Sequence, residues 1–139
     1  MRSEDLPEVM RIENLAFPQP WSEDFFRDAG QSESWVICSD DGILRGYIMY
    51  YTVLDEGEII NFAIDPAFQR RGLGTRLLSQ TIKIMQKRNV SRFFLEVRAS
   101  NIAAQDLYRR FGFVKLGLRK GYYTNPAEDA IIMGNINER

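Results

Sequence analysis

Asn61-Phe62-Ala63-Ile64-Asp65-Pro66-Ala67-Phe68-Gln69-Arg70-Arg71-Gly72-Leu73-Gly74-Thr75 decides the reading of this 139-residue chain. Its opening residues end an apolar run, Glu58 to Ile64, that reads as a strand, and Asp65-Pro66 stops it. From Leu73 to Lys87 the apolar positions Leu73, Leu77, Leu78, Ile82 and Met85 follow a 3.6-residue period, which predicts a helix. The glycine turn therefore joins a strand to a helix N-terminus. There the first N–H groups have no intrahelical acceptor, the macrodipole favours an anion, and Gly72 and Gly74 carry no Cβ to hold a phosphate away. A Gly-x-Gly pair by itself marks a turn and nothing more.

Two better-known phosphate patterns fail on this stretch. A Walker loop needs lysine before the Ser/Thr, and Thr75 follows Gly74; a dinucleotide fingerprint needs a third glycine where Leu77 stands. What remains is a diphosphate cradle beside Arg70 and Arg71, suited to the pyrophosphate of coenzyme A. Each arginine reads equally well as half of a solvated basic pair.

Outward from the turn, Leu6, Val9, Met10, Ile12 and Leu15 recur at helical spacing from Glu4 to Leu15, with Ser3 as the expected N-cap and Pro7 early enough to be tolerated. Phe17-Pro18-Gln19-Pro20-Trp21 breaks that helix, and Ser22 caps a short one through Phe25, Phe26 and Ala29 that stops at Gly30. Trp35 to Ser39 and Leu44 to Val53 read as strands around the Asp40-Asp41-Gly42 turn, and Leu54 to Gly57 forms another turn before Glu58. Arg92 to Val97 reads as a buried strand. Asn101 caps a helix with Ala104, Leu107, Tyr108 and Phe111 that ends at Gly112; Phe113 to Leu118 and Ala130 to Ile136 are two last strands around a polar loop. That order predicts an α/β protein, one domain over residues 1–139, with a mixed sheet flanked by about four helices.

Composition removes several chemistries. The hydrophobic fraction of 45% and charged fraction of 27% are those of a globular domain, and a net charge of -1 gives no footprint for nucleic acid. With no histidine and one cysteine, Ser-His-Asp and Cys-His nucleophiles, His-based zinc sites and an internal disulfide cannot be built. No metal is implied, and proton transfer falls to carboxylate, tyrosine, lysine or water. Cys38, in the run Trp35-Val36-Ile37-Cys38, is expected to be a small buried hydrophobe. No stretch approaches the ~20 apolar residues of a membrane span, and Met1 to Leu6 lacks a signal-peptide core, so a cytoplasmic protein away from membranes is expected.

The chain resembles the GNAT superfamily of acetyltransferases, whose Gln/Arg-x-x-Gly-x-Gly/Ala signature is matched by Gln69, Gly72 and Gly74. Within it the chain is similar to the RimI-type N-terminal acetyltransferases. Phe17 to Ser22, Asn61 to Pro66, Gln69 to Gly74, Leu95 to Asn101, Ala104, Leu107-Tyr108, Phe111 to Phe113 and Glu128-Asp129-Ala130 stand in family order across nearly the whole chain. Family members usually open with a strand before the first helix, and only Met1 and Arg2 precede Ser3, so that strand is expected to be short or absent.

The resemblance implies the acyl-CoA N-acyltransferase fold, with a central, mostly antiparallel mixed sheet. It implies acetyl-CoA as co-substrate and the N-terminal amine of a protein as acceptor, a ribosomal protein among the candidates, handled by a monomer or weak dimer. Backbone groups of Phe62, Ala63 and Ile64 would pair with the pantetheine arm, and Gln69, Arg70, Arg71, Gly72, Leu73, Gly74 and Thr75 would hold the pyrophosphate. Asn101 would contact the arm, although N-capping also explains it. Glu96 would be the general base, its pKa raised by burial, and Tyr108 the general acid. On pattern alone Glu96 fits the solvated face of a strand and Tyr108 an aromatic core position equally well. Phe17, Trp21, Tyr122 and Tyr123 would wall the peptide slot, the two tyrosines reading otherwise as strand-end aromatics. A small amine or lysine acceptor, or a silent acyl-CoA-binding module, are the competing readings.

Overall fold

A computed structural model describes residues 1–28, 30, 32–124 and 126–136. After a 3-10 turn at Ser3–Asp5 come the helices α1 (Leu6–Ala16) and α2 (Glu23–Arg27), then the strands β1 (Glu33–Cys38), β2 (Leu44–Val53) and β3 (Glu56–Ile64). Helix α3 (Leu73–Lys87), strand β4 (Arg92–Arg98), helix α4 (Ile102–Arg110) and strands β5 (Val114–Thr124) and β6 (Ala127–Ile136) follow. The sheet order is β1-β2-β3-β4-β6-β5, with β3–β4 parallel and every other pairing antiparallel. Among the described residues no strand precedes α1, and β1 forms one sheet edge.

Strand alternation sends successive residues to opposite faces, and here each face has its own core. On one, Ile48, Tyr50, Phe93, Leu95, Val97 and Met133 pack against Leu77, Leu78 and Met85 of α3 and Tyr108 of α4. On the other, Tyr47, Met49 and Ala63 pack against Leu6, Val9 and Ile12 of α1 and Phe26 of α2. Strand β2 is buried on both faces from Gly46 to Tyr50, which is why it reads as one continuous apolar run.

Polar anchors fix the elements that lead to the glycine turn. Asp65, its side chain 3% exposed, accepts from the Ala67 N–H at 3.0 Å, from Arg11 of α1 at 2.9 Å and from Arg45 of β2 at 3.4 Å. Gln105 ties α4 to the end of β4 by donating to the carbonyls of Arg98 and Ala99 at 3.1 and 3.0 Å. The Asn101 side chain accepts from the Ala104 N–H at 3.2 Å, the expected N-cap. Gly112, with φ +85°, ends α4, also as expected.

Several expectations are corrected. The N-cap of the opening 3-10 turn is Arg2, its N–H donating to Asp5 at 2.7 Å, and Ser3 already lies inside that turn. Leu15 is 60% exposed because it falls off the stripe made by Leu6, Val9 and Ile12. Cys38 is exposed, since it ends an edge strand at a register shift that turns it outward. The turn over residues 54–57 is tighter, with β3 already begun at Glu56 and Leu54 left-handed at φ 55°. The predicted polar loop after Leu118 is strand: β5 continues to Thr124 and pairs with β6 from Ala127. As an edge strand it satisfies its backbone on one side while its side chains face water, so no apolar period marks it. Ala29, expected in the second helix, lies outside the described residues, and α2 ends at Arg27.

Burial alone would push the Asp65 carboxyl up, but Arg11, the Ala67 N–H and Arg45 outweigh it and hold its pKa below the ordinary carboxylate value. A carboxyl whose folded pKa lies below its unfolded value of ~3.9 adds stability above that value and gives it up as pH falls through the folded one. The native protein should lose Tm more steeply than Asp65→Asn between about pH 5 and 2; parallel Tm curves would exclude this ion-pair cluster as the cause. At the turn, Gly72 has φ +80° and open space where an added methyl would sit, so Gly72→Ala costs only backbone strain, about 1–2 kcal/mol. In Gly74→Ala the new methyl meets Ile64 at 3.4 Å and Leu107 and Phe62 at 3.6 Å, ordinary contacts, and the helix gains up to ~1 kcal/mol of propensity. Urea melts should therefore shift in opposite directions for the two variants.

Candidate active site

The parallel pairing of β3 with β4 runs from Glu56 opposite Arg92 to Ile59 opposite Leu95 and then ends. Beyond it β3 stays with β2 as far as Ile64 opposite Gly46, while β4 follows β6 to Arg98 opposite Ala130. The sheet splits, and residues 60–64 present one free backbone edge to the gap. A cleft of about 530 Å³ opens there, bounded by β3, the glycine turn, the start of α3, and α4.

Nine of the eleven residues expected to hold the cofactor line this cleft. Phe62, Ala63 and Ile64 form the free-edge wall; Gln69, Arg70, Gly72, Gly74 and Thr75 form the mouth, and Asn101 faces them. The first helical bond of α3 is Arg76 N–H to Gly72 C=O, and Gly72 offers no side-chain cap. The N–H groups of Leu73, Gly74 and Thr75 are thus left for an external acceptor. Arg70 (φ 66°) and Gly72 (φ 80°) are both left-handed, which curls the backbone around the mouth. Arg71 and Leu73 are not in the lining. The Arg71 guanidinium sits 4.5 Å over the Phe68 ring, whose centroid also lies 3.8 Å from the Arg45 guanidinium carbon, and Leu73 is half-buried. The free strand edge, the uncapped helix start and the arginine at the mouth fit an extended amide-containing arm that ends in a diphosphate.

Tyr108 lines the cleft from α4. Its ring packs between Phe62 at 6.3 Å and Phe113 at 5.8 Å. Burial, and after it the nearby Tyr123 phenol, pushes its pKa well above the ordinary tyrosine value, so it holds its proton at neutral pH. Glu96 comes from the other face: Phe93, Leu95 and Val97 enter the α3/α4 core, and alternation points Glu96 away from it. Glu96 is partly buried. Its side chain is 22% exposed and pairs with Arg119 Nε at 3.3 Å.

Of the four residues expected to wall a peptide slot, Trp21, Tyr122 and Tyr123 are not part of the cleft lining. Phe17 lines the cleft at the end of α1, whereas Trp21 packs on Phe26 at 5.6 Å and does not. Between Arg119 opposite Ala130 and Tyr123 opposite Glu128, strand β5 carries two more residues than β6, and this bulge pushes Tyr122 out of the pleat. Tyr122, half exposed, stands beside Glu96; burial first and then that carboxylate raise its pKa. Tyr123 lies under the Arg98 guanidinium at 4.1 Å, and its phenol is pushed up to about 12 by burial, with Arg98 opposing.

The residues that hold this bulge were missed as such. Gly121, left-handed at φ 61°, donates its N–H to Asp129 at 2.8 Å, and Glu128 accepts from Arg98 at 3.1 Å and from the Ser100 N–H. Glu128-Asp129-Ala130 was legible as a family block, but its role as a latch depends on contacts at long range. Glu13 was also missed, although a carboxylate on the stripe of Leu6, Val9 and Ile12 is a visible signal. It accepts from the Trp21 N–H at 2.9 Å.

Residues 6–113 match the sequence profile of the Acetyltransferase (GNAT) family. The chain is 41% identical over 137 residues to the [ribosomal protein bS18]-alanine N-acetyltransferase of Escherichia coli K12, covering 96% of this chain and 92% of that protein. It is 38% identical over 142 residues to a putative [ribosomal protein bS18]-alanine N-acetyltransferase of Bacillus subtilis, covering 99% and 94%. The crystal structure of the ribosomal-protein-S18-alanine N-acetyltransferase from Escherichia coli superposes with a TM-score of 0.89 at 38% identity, covering 100% of this chain and 92% of that one. With profile, near-full-length relatives and fold in agreement, this chain belongs to the GNAT family of acetyltransferases.

Proposed function

We propose that the protein acetylates the N-terminal amine of a protein, with the alanine terminus of ribosomal protein bS18 as the first candidate acceptor. The observation that carries this reading is the likeness, over 96% of the chain, to an enzyme named for that acceptor. The split sheet supports the donor half, because its free edge runs from the glycine turn toward Tyr108 and the gap beside Glu96.

Acetyl-CoA supplies an activated acetyl thioester. In this reading the N–H groups at the start of α3, with Arg70, bind the pyrophosphate, and residues 62–64 align the arm along their free edge. Glu96, directly or through a water, takes the proton that the amine nitrogen sheds as it bonds to the acetyl carbon. Tyr108 gives its phenolic proton to the sulfur as the C–S bond breaks. An α-ammonium group, with a reference pKa near 8, gives the neutral amine that can attack more readily than a lysine near 10.4. Tyr122 and Tyr123 face the acceptor, and their hydroxyls can hydrogen-bond a peptide backbone.

Mass spectrometry of a peptide panel incubated with acetyl-CoA, with free or blocked N-termini and with or without lysine, tests the acceptor. Acetyl gain only at free N-termini is expected, and gain only on lysine or polyamine would refute it. Glu96→Gln and Tyr108→Phe should each lower kcat by about 10²-fold or more with coenzyme A affinity nearly unchanged; an unaltered kcat in either removes that residue from its role. Gly72→Ala, whose methyl would enter the open space at the mouth, should raise the KM for acetyl-CoA. Gly74→Ala, whose methyl packs on Ile64, Leu107 and Phe62 and so stays away from the phosphate despite the expectation for both glycines, should leave it near the native value, as steady-state kinetics will register.

A further inference from the structure

One buried carboxylate takes no part in this chemistry. Glu13 is 1% exposed and its partners are neutral donors. One oxygen accepts from Nδ2 of Asn61 at 2.9 Å and from the Tyr47 hydroxyl, and the other accepts from the Trp21 N–H at 2.9 Å. These donors belong to β3, β2 and the segment that leads into α2. A buried carboxylate is costly unless hydrogen bonds replace its water, and a leucine here would simply extend the apolar stripe of α1. The position therefore makes sense through its connections. Asn61 immediately precedes Phe62 and Ala63, which wall the cleft, and Trp21 closes residues 17–21, which begin at Phe17 in that same cleft.

We propose that Glu13 is a positioning residue that fastens the wall formed by residues 17–21 to the cofactor-facing strand, so that the acceptor peptide meets a preset slot. This rests on the reading of residues 17–21 as the acceptor wall. The amide of Glu13→Gln still offers an oxygen to the Trp21 N–H, and Asn61 can turn its own carbonyl toward the new NH₂. Glu13→Leu keeps apolar packing and cuts the tether.

Kinetics with acetyl-CoA and N-terminal peptides separate tethering from general stability. Glu13→Leu should raise the peptide KM about tenfold, with the acetyl-CoA KM held within about twofold, and Glu13→Gln should restore the peptide KM to within about threefold of native. Acrylamide quenching of Trp21, made the only tryptophan by Trp35→Phe, reads the wall without activity and should rise in the Leu variant and not in the Gln variant. Equal changes in both KM values, or unchanged quenching, would overturn the tether. If Glu13→Leu does not fold, Glu13→Ala answers the same two measurements without overpacking. Should the native enzyme acetylate no N-terminal peptide, the acceptor reading fails, and quenching alone decides the role of Glu13.

Discussion

The ending of the β3–β4 pairing after Ile59 and Leu95 is the constraint on which the rest of the molecule depends. Had the two strands stayed paired to their ends, residues 60–64 would have no free edge and no cleft would lie between them and α4. Each strand keeps the neighbour on its other edge past that point. β3 keeps β2 as far as Ile64, and β4 keeps β6 as far as Arg98. Gln105 then holds α4 against the carbonyls of Arg98 and Ala99, which props the far side of the split. Backbone groups inside a fold need partners, and an open strand edge facing a cleft is matched by a ligand that brings amides of its own.

Polar anchors, more than apolar contacts, fix the rims of that split. Asp65 locks the exit of β3 to α1 and β2; Asp129 and Glu128 latch the bulge that carries Tyr122 and Tyr123; Glu13 ties the segment after α1 to Asn61. Buried polar groups are costly to leave half-satisfied. Their placement is therefore specific where apolar packing would tolerate sliding, and the rims of a reaction site need that specificity.

The elements legible in the sequence are those whose two sides differ. Leu77, Leu78 and Met85 mark α3 by period, the double-sided burial of β2 marks a strand, and the strand-turn-helix context of Gly72 and Gly74 marks the mouth of the cleft. Nearly every residue of β5 is exposed, so its pattern carried no signal. The surroundings of Glu96 were not legible either. The alternation Phe93, Leu95, Val97 places it opposite the α3/α4 core, but its partner Arg119 and neighbour Tyr122 arrive from a distant strand and a bulge. Local pattern reports which side of an element faces inward. Which charges meet across the sheet is a property of topology.

Two cores, one on each face of the sheet, meet at the cleft. The donor mouth is built over the larger one, where α3 and α4 meet β3 and β4, and the segment holding Phe17 and Trp21 rests on the smaller one beneath α1 and α2. Ala63 belongs to the smaller core and Phe17 packs against it, yet both line the cleft together with Phe62 and Tyr108 from the larger one. A substitution in either layer therefore reaches the cleft wall, and neither face of the sheet can drift by itself.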